Sequence, residues 1–143
     1  MGRLRYSRLV TAAQSSSVLL AAPHHGLVEG IRSLLGTEFD TVVMVADERS
    51  LCESAERLNP RLAVIDMALA HGDIAGLIRR VRLGCEGLKV IVLSSHDEPP
   101  IVQAAREAGA EALVCKRSIA TDLLQAVDDV LRGDRHFPGE VPS

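Results

Sequence analysis

The sequence predicts an α/β fold: an open, doubly wound sheet of five parallel strands with helices on both faces. Three observations lead there. The chain has 143 residues, which suits one domain of ~100–150 residues. A domain of that size can bury about 68–70% of the surface its unfolded form exposes. Five short apolar runs alternate with five segments of helical period. Each strand–helix unit needs a right-handed crossover that packs its helix onto the sheet, and five strands are too few to close an eight-fold barrel.

The runs are Val18 to Ala21, Thr41 to Val45, Leu62 to Ile65, Val90 to Leu93 and Ala112 to Cys115. They carry polar residues only at their edges, the pattern of strands buried on both faces. The first helix follows from Leu27, Val28, Ile31, Leu34 and Leu35, whose spacing lays one apolar stripe along a helix. Leu51, Cys52, Ala55 and Leu58 repeat the pattern, with Pro60 as a stop. Ile74, Leu77, Ile78 and Val81 mark a third helix, and Asp73 suits its N-cap. Pro100 opens a fourth, through Ile101, Val102, Ala105 and Ala108 to Gly109. The fifth carries Leu123, Leu124, Val127, Val130 and Leu131, with Thr121 or Asp122 near its start and Gly133 at its end. Residues 1–17 are expected to form a flexible extension, residues 18–135 the domain, and residues 136–143, with two Pro and a Gly, a tail or linker.

Composition excludes several functions. The net charge is −3, whereas a dedicated nucleic-acid surface is normally basic. Tyr6, Phe39 and Phe137 are the only aromatics, too few for base-stacking platforms. No apolar run approaches the ~18 residues of a membrane span, and Val18 to Ala22 is too short for the apolar core of a signal peptide, ~7–15 residues. Cys52, Cys85 and Cys115 form an odd set without a C-x-x-C pair. A disulfide framework or zinc site is therefore not expected, and a reducing, cytoplasmic compartment fits. Cys52 and Cys115 fall in apolar stripes as small core residues. Arg79, Arg80 and Arg82 read as the solvated face of the third helix. Asp47-Glu48 and Asp97-Glu98 read as exposed helix or loop starts.

In an open parallel sheet, chemistry is expected at the C-terminal strand ends. The third strand ends at Asp66, the fourth at Ser94-Ser95 and the fifth at Lys116. Asp66 and the serines are also ordinary turn residues. Lys116 is less ordinary, because the chain holds fourteen Arg and only two Lys. Its compact ammonium suits a phosphate or carboxylate as a point charge. Carboxylate, hydroxyl and ammonium can meet around one small anion. An aspartate that accepts a phosphoryl group needs that set: the carboxylate as nucleophile, the ammonium and hydroxyl on the oxygens of the acyl phosphate.

From about Val18 to Phe137 the sequence resembles the receiver domains of two-component response regulators, of the type usually followed by a helix-turn-helix output domain. Val18 to Ala21 with Glu29 to Leu35 is similar to the first strand and helix of that family. Leu62 to Asp66 with Gly72-Asp73 is similar to its phosphoacceptor strand and loop, and Val90 to Ser94, Ala108-Gly109-Ala110 and Lys116 to its fourth strand, fourth-helix exit and lysine. The resemblance implies a flavodoxin-like (βα)5 three-layer sandwich with strand order 2-1-3-4-5. It implies a role in phosphorelay signal transduction, without enzymatic activity, with Asp66 as phosphoacceptor and Ser94 and Lys116 sensing the phosphoryl group. The implied partner is a histidine kinase or other signalling protein, with a homodimer as a further arrangement. Neither nucleic acid nor membrane is expected to be bound directly by this chain.

Departures from the family pattern bear on the cofactor. Ala22-Pro23 stands where the family has two adjacent acidic residues that help hold magnesium, so Mg2+ binding is expected to be impaired and no cofactor is assigned. His24-His25 is no substitute, since imidazole suits zinc, copper or nickel; with Asp66 it could at most form a transition-metal site. Ala70 replaces a common proline, and Leu113 an aromatic residue that swings inward on activation. A carboxylate meeting a phosphoryl group at ~4 Å faces about 4 kcal/mol per unit charge product at an effective dielectric near 20. Lys116 offsets one unit of charge, leaving a deficit that corresponds to roughly a thousand-fold rate loss or more. Phosphorylation of Asp66 is therefore expected to be slow. The alternatives are a degenerate pseudo-receiver that binds partners without phosphorylation, or the receiver fragment of a longer DNA-binding regulator. A haloacid-dehalogenase type of phosphatase is disfavoured, because the second Asp it needs is Ala68 here.

Overall fold

The structure is a computed structural model that describes residues 16–23 and 28–139. Five strands, β1 (Ser17–Ala21), β2 (Thr41–Val45), β3 (Leu62–Asp66), β4 (Lys89–Ser94) and β5 (Ala112–Cys115), alternate with α1 (Val28–Leu35), α2 (Glu48–Leu58), α3 (Ile74–Leu83), α4 (Pro99–Glu107) and α5 (Ile119–Leu131). All pairings are parallel and the order is β2-β1-β3-β4-β5. Successive side chains of a strand point to opposite faces, and the core divides accordingly. Leu19, Ala63, Ile65, Val90, Val92 and Leu113 pack with α2, α3 and α4. Val18, Leu20, Leu62, Val64, Ile91 and Val114 pack with α1 and α5. The result is a three-layer sandwich.

Local chemistry sets the helix ends. The Asp47 carboxylate accepts from the Ser50 N–H (2.7 Å) and caps α2, a bond that lowers its pKa. Asp73 accepts from the Gly76 N–H (3.0 Å) and caps α3, as its position predicts. Pro99 and Pro100 both lie in the first turn of α4, where the missing N–H costs nothing. After α4 the chain turns at Gly109 with φ of +94°, a conformation that glycine adopts without strain. A 3-10 turn over Lys116–Ser118 leads into α5, which therefore begins before Thr121 and Asp122.

Three expectations are corrected. β2 is not buried on both faces: Thr41 and Met44 are exposed and its valines half-buried. It is an edge strand, and an apolar run does not reveal an edge. Arg82 does not lie on a solvated face. Its Nε donates to the Leu88 carbonyl (3.0 Å), one terminal nitrogen to the Gly109 carbonyl (2.9 Å), and the other to both Glu111 oxygens (2.9 and 3.1 Å). Glu111 also accepts from the Val90 N–H (2.8 Å), so one ion pair ties α3 to the entries of β4 and β5. Arg80 is exposed but forms a two-point ion pair with Glu48 of α2, while Arg79 is exposed.

The third correction concerns the tail. His136 forms a parallel bridge with Ala112, and Phe137 is buried in the core beside α4. Packing thus continues past residue 135 because the outer edge of β5 still offers backbone partners. Residues 1–15 and 140–143, parts of the expected extension and tail, lie outside the described residues, as do His24 and His25. Cys85 and Cys115 are buried and Cys52 half-buried, all three as free thiols; burial raises the pKa of Cys52 and Cys85.

Core and surface leucines should behave differently. Leu77 is fully buried whereas Leu83 is 79% exposed. Leu77→Ala is expected to lower the unfolding free energy by about 2–5 kcal/mol, and Leu83→Ala to change it by no more than about 0.5 kcal/mol, both read from urea unfolding.

Candidate functional site

Parallel pairing delivers the ends of β3, β4 and β5 to one edge. Register aligns Asp66 with Leu93, the residue before Ser94, and Ser94 with Cys115, the residue before Lys116. The three residues singled out from the sequence therefore end neighbouring strands. Asp66 and Ser94 are buried polar residues, 7% and 4% exposed, and Ser54 of α2 is the other buried polar residue among those described.

Asp66 is held on both oxygens. Oδ1 accepts from the Ala68 N–H (2.9 Å), which caps the 3-10 turn Met67–Ala70, and Oδ2 lies 2.6 Å from Lys116 Nζ. That turn ends at His71, with φ of +50°. Lys116 reaches the carboxylate from the 3-10 turn after β5, and its stem is largely covered. Ser94 Oγ accepts from the His96 N–H (3.0 Å), which folds back the start of the β4–α4 loop. Chemically, the site offers one carboxylate as nucleophile, one ammonium as counter-charge and one hydroxyl whose proton remains available to donate.

Sequence reasoning missed one contact at this edge. Arg117 donates to Asp97 (2.8 Å) and to Cys115 Sγ (3.0 Å), linking the loop after β5 to the loop after β4. Adjacent loops of opposite charge were the available signal, but Asp97 reads equally well as a helix start.

At the exit of β1, Ala22 and Pro23 present no ligating group. The Ala22 N–H instead donates to the Val45 carbonyl (3.0 Å). Magnesium takes near-octahedral oxygen ligation from carboxylates and waters. Among the described residues no three His, Cys, Asp or Glu side chains come together as a metal site, and Lys116 already sits on the Asp66 carboxylate. The side chains described here do not fit a resident magnesium ion. Leu113, at the aromatic position of the family pattern, is 1% exposed and packed in the core. A cleft of about 300 Å³ between α2 and α3 is lined by Cys52, Glu56, Arg80 and Leu83, and by none of the three site residues.

An open parallel sheet with an aspartate, a serine and a lysine at adjacent strand ends defines a doubly wound α/β domain with a polar site at its C-terminal edge. The model of the response regulator receiver domain matches residues 18–128, and the chain belongs to that family, whose members act in two-component signalling. The response regulator protein VraR of Staphylococcus aureus is 29% identical over 126 residues, which cover 87% of this chain and 60% of VraR. Among solved structures, the isolated receiver domain of RcsB from Salmonella enterica serovar Typhimurium, in the apo form, superposes with a TM-score of 0.73 at 26% identity, covering 87% of this chain and 94% of that one. A LuxR-family two-component response regulator from Aurantimonas sp. gives a TM-score of 0.77 at 24% identity, covering 87% and 91%, a likeness of fold. The chain spans about 60% of the length of the curated relatives it matches. The same comparisons bear out the strand order and the flavodoxin-like fold. No helix among the described residues is long and apolar enough to cross a membrane.

The Asp66–Lys116 contact should appear in solution as an energetic coupling. A double-mutant cycle of Asp66→Asn and Lys116→Met, read by urea unfolding, is expected to give a coupling energy of about 0.5–3 kcal/mol. Additive effects of the two substitutions would mean that the pair does not form.

Proposed function

We propose that Asp66 is the phosphoacceptor of this receiver domain and that a histidine kinase in the cytoplasm supplies the phosphoryl group. The Asp66 carboxylate, 2.6 Å from Lys116 Nζ at the sheet edge, carries the reading. An Asp66 oxygen attacks phosphorus, the bond from phosphorus to the kinase imidazole nitrogen breaks, and the imidazole leaves with that electron pair. Lys116 meets the negative charge of the acyl phosphate, and Ser94 donates its hydroxyl proton to a phosphoryl oxygen. The chain works as an acceptor and relay and is not itself an enzyme. Its free thiols suit a reducing compartment.

The same site explains why the reaction should be slow with small donors. With Ala22 and Pro23 in place of carboxylates, magnesium is held poorly, and Lys116 alone opposes the incoming charge. Relatives longer than this chain support a receiver that controls an output segment, as in a DNA-binding regulator.

Intact mass after incubation with acetyl phosphate and magnesium tests the reading. The wild-type chain should gain one phosphoryl group slowly, and Asp66→Asn none. Ala22→Asp with Pro23→Asp should raise the rate at least about tenfold, a gain of ~1.4 kcal/mol in the barrier. Labelling of Asp66→Asn at the wild-type rate would refute Asp66 as acceptor. Rapid stoichiometric labelling of the wild type would refute the loss of the metal site.

A further inference from the structure

After α5 the chain turns at Gly133, with φ of +96°, and runs back along the outer edge of β5. The His136 N–H donates to the Glu111 carbonyl (3.1 Å), and its carbonyl accepts from the Leu113 N–H (3.0 Å). The next step of a parallel ladder would need an N–H from residue 138, and Pro138 has none. Backbone attachment therefore stops after one bridge, whereas β3 and β4 share five register pairs.

Two side chains complete the attachment. His136 Nδ1 lies 2.9 Å from Asp129 Oδ2 on α5, while Gln125 and Arg132 donate to the other Asp129 oxygen (2.9 Å each). The His136 contact is the main cause of a lowered Asp129 pKa, and burial opposes it. Phe137, 5% exposed, is seated in the core cluster with α4, and the Arg106 guanidinium carbon lies 4.4 Å from its ring centroid. Arg106 is in the last turn of α4, the helix that begins after the Ser94 loop. The segment is thus held by one bridge to β5, by the Asp134 N–H and the His136 ring on Asp129 of α5, and by Phe137 beside α4; so few backbone attachments suit a part that opens locally before the domain unfolds.

We propose that residues 134–139 are a releasable strap on β5, latched by His136 to Asp129, and that Arg106 makes its seating depend on the position of α4. Release frees six residues, adding up to roughly 20 Å of reach to the chain beyond Gly139, and empties the Phe137 socket. The strap links α4 to the path of the exiting chain and stands whether or not Asp66 is phosphorylated.

Amide hydrogen exchange by NMR on the full 143-residue chain tests it, with the Leu113 and His136 amides as reporters and Ile65 and Val92 as core references. The reporters should exchange at least about tenfold faster than the references, through local opening. Asp129→Asn and Arg106→Gln, both near the surface, should each speed the reporters several-fold further and leave the references unchanged. Reporters that exchange at the core rate would show the segment to be ordinary core and overturn the strap. Insensitivity to Asp129→Asn would overturn the latch, and insensitivity to Arg106→Gln the dependence on α4.

Discussion

Parallel pairing of five short strands is the constraint on which the rest of this molecule depends. Strands that all enter the sheet from one end must all leave at the other, and each return requires a crossover long enough to hold a helix. The helices follow from the strands, and so does the burial of β1, β3, β4 and β5 between two helical layers. Asp66, Ser94 and Lys116 lie far apart in the sequence but arrive at one edge because β3, β4 and β5 are neighbours in the sheet. The two open edges are treated differently. β5 is covered at its entry by His136 and Phe137, while β2 is left half-exposed.

That geometry places a nearly neutral site where the family pattern has an acidic one. A single carboxylate faces a single ammonium, and the β1 exit contributes only Ala22 and Pro23. Removing carboxylates lowers the repulsion that an incoming phosphoryl group meets, and it also removes the ligands that would bring a divalent cation. The second effect is the larger, because a divalent ion would neutralise two charges at the reacting centre where Lys116 neutralises one. Leu113 adds to the difference on the output side. A buried aliphatic side chain has no aromatic ring to swing inward, while its backbone N–H holds His136. On the same side of the sheet, the Arg106 guanidinium of α4 lies 4.4 Å from the Phe137 ring centroid.

Most of the fold was legible because strands buried on both faces leave unbroken apolar runs and helices leave stripes. All five strands fall within a residue of their expected limits. Strand order came from family resemblance, since periodicity does not say which strands are neighbours. The edge position of β2 was illegible for the same reason. Asp66 was legible as a polar residue closing an apolar run, and Lys116 as one of two Lys among fourteen Arg. Arg82 was not, because its partners, Leu88 before β4 and Gly109 and Glu111 before β5, lie on two separate segments that only the fold assembles. The seated His136-Phe137 was hidden by Pro and Gly, which signal turns. A phenylalanine in a chain with only two was the clue that the segment had something to bury.

The central claim is that a site with Asp66, Ser94 and Lys116 but without a carboxylate pair at the β1 exit accepts a phosphoryl charge with little help from magnesium. The most direct measurement is a magnesium titration followed by NMR at the Ala68 and Ser95 amides, which flank the two buried site residues. Shifts are expected to stay small and unsaturated at millimolar magnesium, with a dissociation constant well above about 1 mM, or less than ~4.1 kcal/mol of binding. Saturation at these amides well below 1 mM would contradict the claim, since the remaining side chains would then suffice to build the metal site.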